Sequence, residues 1–495
     1  MASQLLATKS IAELHEQESS GNQLRRALNA THLTLLGIGG IIGTGIFVLT
    51  GTAAANHAGP ALPLSFIVAG LGCTFAGLCY AEFSAMIPVS GSAYSYSYAT
   101  LGEGVAWFIG WNLVLEYLFA VATVSVGWSG YAVSLLQQLH VQIPAALSNA
   151  PFGTPLGKEA FEIVRTGAII NVPAILIVAV IATICYVGIK QSAWFNSVIV
   201  AIKVTVIVLF IVFGLSYIDT ANWHPFIPPN TGQTGVFGWS GVLAASGVIF
   251  FAYIGFDAVS TAAQETHNPQ RDMPIGILAS LVICTVLYVI VSAVLTGMVS
   301  YRELDVAAPV ALALDRHNAP YWVGFAVKIG AVCGMTSVML VMTIAQARIF
   351  FAMARDGLLP PFFGRVHPRF QTPSTGTIIT GFFAALVGGL FTVKILGELV
   401  SIGTLAAFVT VCLGVLILRR TRPDLPRPFR TPWPRFVCIA GALVCSLMMV
   451  SLGPATWLRL VVWTLVGVVI YAFYGYQHSK LRKAANGAAG SPRIA

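Results

Sequence analysis

The sequence predicts an all-α integral membrane protein with about twelve transmembrane helices. Of its 495 residues 57% are hydrophobic and 9% are charged, and the mean hydropathy is +0.81, whereas about 25% of residues are charged in a typical soluble protein. Apolar runs of roughly 20 residues, the length that crosses a bilayer as a helix, recur along the chain. We place twelve spans at residues 33–55, 61–87, 104–136, 168–188, 192–216, 238–262, 274–299, 319–354, 375–393, 398–418, 434–452 and 457–477.

The distribution of basic residues predicts the topology. Only five of the 27 lysines and arginines lie between spans on the side opposite the termini: Lys158, Arg165, Arg302, Arg316 and Lys394. The densest basic segment, residues 419–435, lies on the side of the termini. The positive-inside rule therefore predicts a multi-pass protein of the cell membrane with both termini in the cytoplasm. We expect a cytoplasmic segment over 1–32, one transmembrane domain over 33–477 and a cytoplasmic tail over 478–495. The first thirty residues lack the apolar core of a cleavable signal peptide.

Several classes of function are disfavoured. No long basic and aromatic stretch points to nucleic acid, and neither HExxH nor a P-loop is present, so we expect no enzyme. The eight cysteines show no CxxC spacing and lie mostly within spans, which indicates buried thiols rather than disulfides or metal ligands. We therefore expect no cofactor and no metal.

The first span contains an unusual glycine-rich stretch, LLGIGGIIGTGIF at residues 35–47. Glycine destabilises helices, and a broken backbone at membrane depth survives only where protein or a watery cavity surrounds it. The stretch therefore predicts either a binding site at a helix break or a position where helices pack closely.

The sixth span favours the binding site. Its sequence GVIFFAYIGFDAVSTAAQE, residues 247–265, places Gly255 and Asp257 within an apolar run, at the position that the first span holds in the first set of five spans. Paired discontinuous helices are typical of transporter sites. Their free amides would bind a carboxylate and their free carbonyls an amine, which fits an α-amino acid. Asp257 either caps the second half of the span or contacts the ligand, and we favour the cap.

Four segments together carry a family resemblance that spans nearly the whole chain: GIGGIIGTGIFVLTG (37–51), WNLVLEYLFAVATVSVGWSGY (111–131), FFAYIGFDAVSTAAQETHNPQRDMPIGI (250–277) and ARIFFAMARDGLLP (347–360). They resemble the bacterial branch of the cationic amino acid transporter family, within the amino acid–polyamine–organocation (APC) superfamily. The resemblance implies a LeuT-like five-plus-five inverted repeat with broken first and sixth spans, two further helices, and alternating access.

The resemblance also implies the substrate-binding residues. The amides of Thr44 and Gly45 would bind the carboxylate and the Ile41 carbonyl the amine. On the sixth span, the break would be lined by Phe251, Ala252 and Ile254, with Phe251 as an aromatic gate. At the distal end of the pocket, family position places Met342 rather than a carboxylate. Small neutral amino acids are therefore expected rather than arginine.

Two charged residues within spans are candidates for proton coupling, since buried charges in membranes are usually functional. Lys203 lies near the middle of the fifth span, where its ammonium either reaches the interface or bonds the carbonyls of the first-span break. By resemblance it would replace the cation of sodium-coupled relatives and exchange a proton as the site opens. Glu116 on the third span would contact Lys203 or the substrate amine through water. The alternative is a hydrogen-bonded carboxylate in the core with a structural role only.

We expect a secondary active transporter of L-amino acids, coupled to protons by symport, acting as a monomer in the lipid bilayer. The alternative within transport is an amino acid or polyamine exchanger without a proton step. A sodium site at Thr336 and Ser337 is the counter-hypothesis, because hydroxyl groups can ligate sodium. A channel would need a continuous polar path, which the spans do not offer.

Overall fold

The computed structural model describes residues 5, 7–9, 28–87, 91–153, 163–188, 193–370 and 372–483. Most of the predicted end segments, 1–32 and 478–495, lie outside these residues. The second to fifth spans are the helices Leu62–Met86, Glu103–Gln138, Val172–Val187 and Ala193–Leu215, and the seventh to twelfth are Pro269–Met298, Tyr321–Arg355, Ser374–Leu390, Val393–Thr421, Pro434–Ser451 and Pro454–Ile470. The first and sixth spans are each interrupted.

Shorter elements lie between the spans and after the twelfth. The helices among them are Ser92–Thr100, Ala145–Ser148, Pro309–Arg316 and Tyr476–His478, with a π-helix at Tyr471–Gly475. The 3₁₀ turns are Gly59–Ala61, Thr220–Trp223, Ala263–Glu265, Tyr301–Glu303 and Pro361–Gly364. Strands Phe152–Gly153 and Val164–Arg165 form one antiparallel pair.

The predicted membrane class is confirmed. Among the described residues, nine helices are long and apolar enough to cross a membrane, and three shorter apolar helices accompany them. All twelve predicted spans coincide with helices. Among the starts of the spans, the largest differences are those of the seventh and tenth, which begin at Pro269 and Val393 rather than at 274 and 398. There the helix continues beyond the apolar core into charged residues that a hydropathy window excludes.

The packing pairs equivalent spans of the two five-span sets. The second span packs along the seventh and the third along the eighth, and these are the most extensive contacts in the described bundle. The first span also packs on the seventh, and the tenth on the third. All eight cysteines are free thiols, seven of them buried, as the sequence predicts.

We call the end of the bundle where the first span begins and the twelfth ends the terminal face. Segments from both ends of the chain meet there at the end of the eighth span. Lys9 forms a buried ion pair with Asp356 at 2.7 Å, and the Tyr94 hydroxyl donates to the second carboxylate oxygen of Asp356 at 2.8 Å. The amide of Lys480 donates to the Asp356 carbonyl. Residues far apart in sequence are thus joined at one aspartate.

A second buried carboxylate at the terminal face, Glu82, joins the second span to the tenth. The Arg419 guanidinium donates to both oxygens of Glu82 at 2.9 and 2.5 Å, and the amide of Thr431 donates to it at 2.9 Å. Arg427 lies 3.4 Å away and also donates to the carbonyls of Pro423 and Leu425. The basic loop after the tenth span is therefore fixed to the second span.

We predict that Glu82→Gln lowers the apparent melting temperature in detergent by several degrees. Only 2% of the Glu82 side chain is exposed, and removing one charge of a buried pair costs about 3 kcal/mol because the partner charge is left uncompensated. The matched control is Glu303→Gln, since Glu303 and Arg316 lie 2.6 Å apart but are 47% and 61% exposed, and exposed pairs contribute little. Equal melting temperatures for the two variants would contradict the prediction.

Candidate functional site

The first span is broken between Ile41 and Gly45. Its first half, Ala30–Ile41, ends where Ile42 adopts an extended conformation with φ −73° and ψ 103°. The span resumes as a π-helix at Gly45–Leu49, followed by Thr50–Ala53 and a second π-helix at Ala54–Ala58. The amides of Ile46 and Phe47 donate to the Gly43 carbonyl at 3.2 and 3.3 Å. The glycine-rich stretch therefore forms the predicted break.

The sixth span is broken at Gly255. Helix Gly238–Ile249 tightens into a 3₁₀ turn at Phe250–Tyr253, Ile254 is extended, and Phe256–Ser260 continues the span. Gly255 has φ +123°, which L side chains rarely adopt, so glycine is required there. Asp257 accepts the Gly255 amide at 3.2 Å, and the Tyr117 hydroxyl donates to its other oxygen. Asp257 thus bonds the backbone of the break from the first turn of Phe256–Ser260, whose N-cap residue is Gly255.

The two breaks touch through their backbones. A Cβ atom on Gly45 would overlap with Cα of Ala252, and one on Gly255 would lie 2.6 Å from the carbonyl carbon of Gly40. Both separations are too short for any side chain. The glycines therefore permit close packing as well as the break.

A small cavity lies at these breaks. The space in which the centre of a water molecule fits is about 10 Å³, which holds about one water. The breaks contribute backbone and side chains, and the third and eighth spans contribute only apolar side chains. The lining residues are Gly40, Ile41, Gly43, Thr44, Gly45, Phe251 and Ile254 from the breaks, Ala120 and Val124 from the third span, and Val338 and Met342 from the eighth.

The cavity brings together six of the seven residues that the sequence predicts for substrate binding: Ile41, Thr44, Gly45, Phe251, Ile254 and Met342. Ala252 is not in the lining and instead packs against Gly45. Glu116 is also outside the lining, one helical turn from Ala120 on the third span. It is 1% exposed, and its Oε1 atom has no hydrogen-bond partner among the described residues.

Lys203 reaches the first-span break. Its Nζ atom donates to the carbonyls of Gly39 at 2.6 Å and Ile42 at 2.9 Å, and its side chain is fully buried. The aliphatic part packs on Gly334 of the eighth span, where a Cβ atom would lie 3.3 Å from it. Lys203 therefore points inward rather than to an interface, and no carboxylate pairs with it among the described residues.

The hydroxyls of the sodium hypothesis lie on the eighth span. The Thr336 hydroxyl donates to the Val332 carbonyl and accepts from the Trp128 indole at 3.0 Å, and the Ser337 hydroxyl donates to the Gly334 carbonyl. Each hydroxyl thus already has at least one partner within the protein.

Sequence reasoning missed Tyr288. This residue of the seventh span is fully buried, and its hydroxyl lies 3.0 Å from the Ile41 carbonyl oxygen and 2.9 Å from that of Ala252. It therefore bonds both breaks. A single tyrosine in an apolar run is indistinguishable from a core residue, so no signal in the sequence could have identified it.

Two broken helices in backbone contact around a buried cavity define a membrane transporter of the permease type. The family model for amino acid permeases matches residues 28–476. The chain is 47% identical over 478 residues to the methylthioribose transporter of Bacillus subtilis (strain 168), covering 97% of this chain and 99% of that protein. It is also 47% identical over 484 residues to the branched-chain amino acid permease BcaP of the same organism, covering 98% and 100%.

The vacuolar cationic amino acid transporter 2 of Arabidopsis thaliana is 39% identical over 407 residues, covering 82% of this chain and 62% of that protein. The chain belongs to the amino acid permease family. It is a multi-pass membrane transporter and not an enzyme, and its resemblance to cationic amino acid transporters is confirmed.

We predict that Gly45→Ala lowers the apparent melting temperature and abolishes uptake, because the added methyl group would push the two breaks apart at Ala252. Overpacking of this kind typically costs about 1–3 kcal/mol. The control is Gly403→Ala on the tenth span, where the nearest atom to a Cβ would be a leucine methyl at 3.4 Å. A Gly45→Ala protein with wild-type melting temperature and uptake would contradict the close contact between Gly45 and Ala252.

Proposed function

We propose that the protein carries small neutral L-amino acids across the cytoplasmic membrane by alternating access, in symport with protons and with both termini in the cytoplasm. The observation that carries this proposal is the cavity between two touching helix breaks, lined elsewhere by apolar side chains. The breaks supply the polar groups that bind the parts common to all amino acids. The apolar lining supplies the selectivity for the side chain.

Recognition of the shared groups follows from backbone polarity. The π-helix that starts at Gly45 presents its amide end at the cavity, and Thr44 and Gly45 would donate to the substrate carboxylate. The carbonyls of Ile41 and Ala252 lie at ends of the interrupted helices and would accept from the amine. Phe251, buried at the cavity, would cover the bound substrate.

The lining favours a neutral side chain. Ala120, Val124, Val338 and Met342 offer no charge for arginine and no hydroxyl or amide for a sugar, and buried polar ligand groups without partners lose affinity. The relative named branched-chain amino acid permease agrees with this preference, whereas the relative named methylthioribose transporter does not. Methylthioribose is therefore the informative competitor.

The contacts of Lys203 support its role in proton coupling. An ammonium that bonds the carbonyls of Gly39 and Ile42 fills the position where a cation would bind, so sodium is not needed. A lysine that is alternately buried and hydrated can release and take up a proton. Glu116 is also buried, on the third span close to the lining residues, and would contact Lys203 or the substrate amine through water. If Lys203 does not carry the proton, Glu116 would carry it.

We predict that free neutral L-amino acids raise the melting temperature of the purified protein while their methyl esters do not, because an ester loses the charged carboxylate that the break amides bind. At a concentration of 100 times the dissociation constant, binding stabilises by about 2.7 kcal/mol. Thermal shift measurements should compare L-alanine, L-valine, L-leucine and L-arginine with their methyl esters. Methylthioribose should be measured in the same way as the alternative ligand. If L-arginine gives the largest shift, the proposed preference for neutral side chains is wrong. If the free acids and their esters give equal shifts, the break amides do not bind the substrate carboxylate.

We predict that Lys203→Ala abolishes proton-driven accumulation in proteoliposomes but changes substrate affinity by less than about tenfold, since the cavity lining stays in place. Wild-type uptake should respond to an inward proton gradient and not to replacement of sodium by choline. The control is Lys328→Ala, which removes another buried lysine, one that pairs with Asp315 at 3.0 Å. If the Lys203→Ala protein still accumulates substrate under a proton gradient, Lys203 is not the proton carrier. Either Glu116 then couples transport to protons or the protein exchanges substrates without protons.

A further inference from the structure

Two exposed apolar stripes, one on the tenth span and one on the eleventh, end at arginines of the terminal face. The stripe of the eleventh span is between 49% and 69% exposed and consists of Phe436, Ile439, Leu443, Leu447 and Val450. Arg435 is exposed and lies four residues before Ile439. On the tenth span the exposed Leu413 and Ile417 lead in the same way to the exposed Arg420. Residues at such intervals share one face of a helix, so each arginine continues an apolar stripe.

The arginines of the basic loop after the tenth span differ in where they point. Arg419 and Arg427 pair with the buried Glu82. Four others are exposed and have no ion pair within the described part of the chain: Arg420, Arg422, Arg430 and Arg435. Residues 419–435 contain a single acidic residue, Asp424. The exposed side of the loop therefore carries an excess of positive charge where the two stripes end.

The loop holds these arginines in place. Arg427 donates to the carbonyls of Leu418 and Arg422 at 3.3 and 2.8 Å, and five of the residues between 423 and 434 are prolines, which restrict the backbone. Trp433 directly precedes the eleventh span, has φ +39° and is 79% exposed. Exposed tryptophans are enriched at the level of the lipid headgroups, so the neighbouring arginines lie at that level too.

We propose that the tenth and eleventh spans bind an anionic phospholipid of the leaflet at the terminal face, with its phosphate on the exposed arginines and its acyl chains along the two stripes. Guanidinium groups bind phosphate oxygens through pairs of parallel N–H donors. A soluble phosphate would leave the stripes unused. A zwitterionic phospholipid would use the stripes, but its own cationic group competes with the arginines for the phosphate. A headgroup of net negative charge, such as that of phosphatidylglycerol, fits both features.

The same arginines also contribute to the positive-inside pattern, and that role must be separated from lipid binding. Topology depends on basic residues anywhere in the short loops of one side, whereas the lipid site requires them at the ends of the exposed stripes. Arg365 and Arg369 provide the comparison. Both are exposed arginines of the terminal face, and both lie in the loop after the eighth span rather than on a transmembrane helix.

The test is the double variant Arg420→Gln/Arg435→Gln, which changes two exposed side chains. The matched control is Arg365→Gln/Arg369→Gln, which removes the same charge from the same face. Purified delipidated wild type and both variants are titrated in detergent with dioleoylphosphatidylglycerol, dioleoylphosphatidylcholine and glycerol 3-phosphate. Native mass spectrometry measures the affinity for each lipid, and the melting temperature reports stabilisation by each of the three compounds.

We expect wild type to bind phosphatidylglycerol at least about tenfold more tightly than phosphatidylcholine, and glycerol 3-phosphate to leave the melting temperature unchanged. Each basic residue at an anionic surface contributes about fivefold, so the Arg420→Gln/Arg435→Gln protein should bind phosphatidylglycerol roughly 25-fold more weakly, with unchanged affinity for phosphatidylcholine. The control should keep the wild-type ratio of the two affinities.

Three results would overturn the inference. Equal affinities of wild type for the two lipids would show that the arginines do not select the headgroup. An equal loss of phosphatidylglycerol affinity in both double variants would show that only the net charge of the face matters. Stabilisation by glycerol 3-phosphate as large as that by phosphatidylglycerol would show a site for soluble anions that does not use the stripes.

Discussion

The structure depends on the need to satisfy backbone groups where two helices are interrupted inside a membrane. Each unpaired amide or carbonyl in such a place costs several kcal/mol. Side chains from neighbouring spans meet part of this need. Lys203 bonds two carbonyls of the first-span break, Tyr288 bonds one carbonyl from each break, and Asp257 accepts the Gly255 amide. The positions of the fifth and seventh spans around the breaks follow from such contacts.

Lys203 and Asp257 solve the same problem with opposite charges. The ammonium of Lys203 serves carbonyls at the end of a half-helix, and the carboxylate of Asp257 serves an amide at the start of one. Each charge thus faces the end of the helix dipole that attracts it. The Tyr117 hydroxyl also donates to Asp257, so the third span is bonded to the sixth near the cavity that both line. Substrate-sized ligands require this cavity to widen, because it holds only about one water.

The fold could be predicted from the sequence because a bilayer imposes a long apolar run on every span. The breaks could be predicted because glycine destabilises a helix, so several glycines within one span indicate that the backbone turns or packs closely there. Lys203 could be identified because a charge at membrane depth is rare. Tyr288 could not, since the seventh span is apolar on all sides in sequence and shows no periodicity that reveals which way the hydroxyl of a tyrosine points. Ala252 was expected in the cavity lining, but the close approach of Gly45 places it in a backbone contact.

The backbone contacts at Gly45 with Ala252 and at Gly40 with Gly255 lie within the first and sixth spans, away from their ends. Two rods that touch between their ends act as a pivot with arms on either side. The arm Ala30–Ile41 has 12 residues and is about 18 Å long at 1.5 Å per residue. A rotation of about 10° moves the far end of such an arm by about 3 Å, roughly the width of a water molecule. Small angular changes at the glycines are therefore enough to admit or exclude solvent at the terminal face.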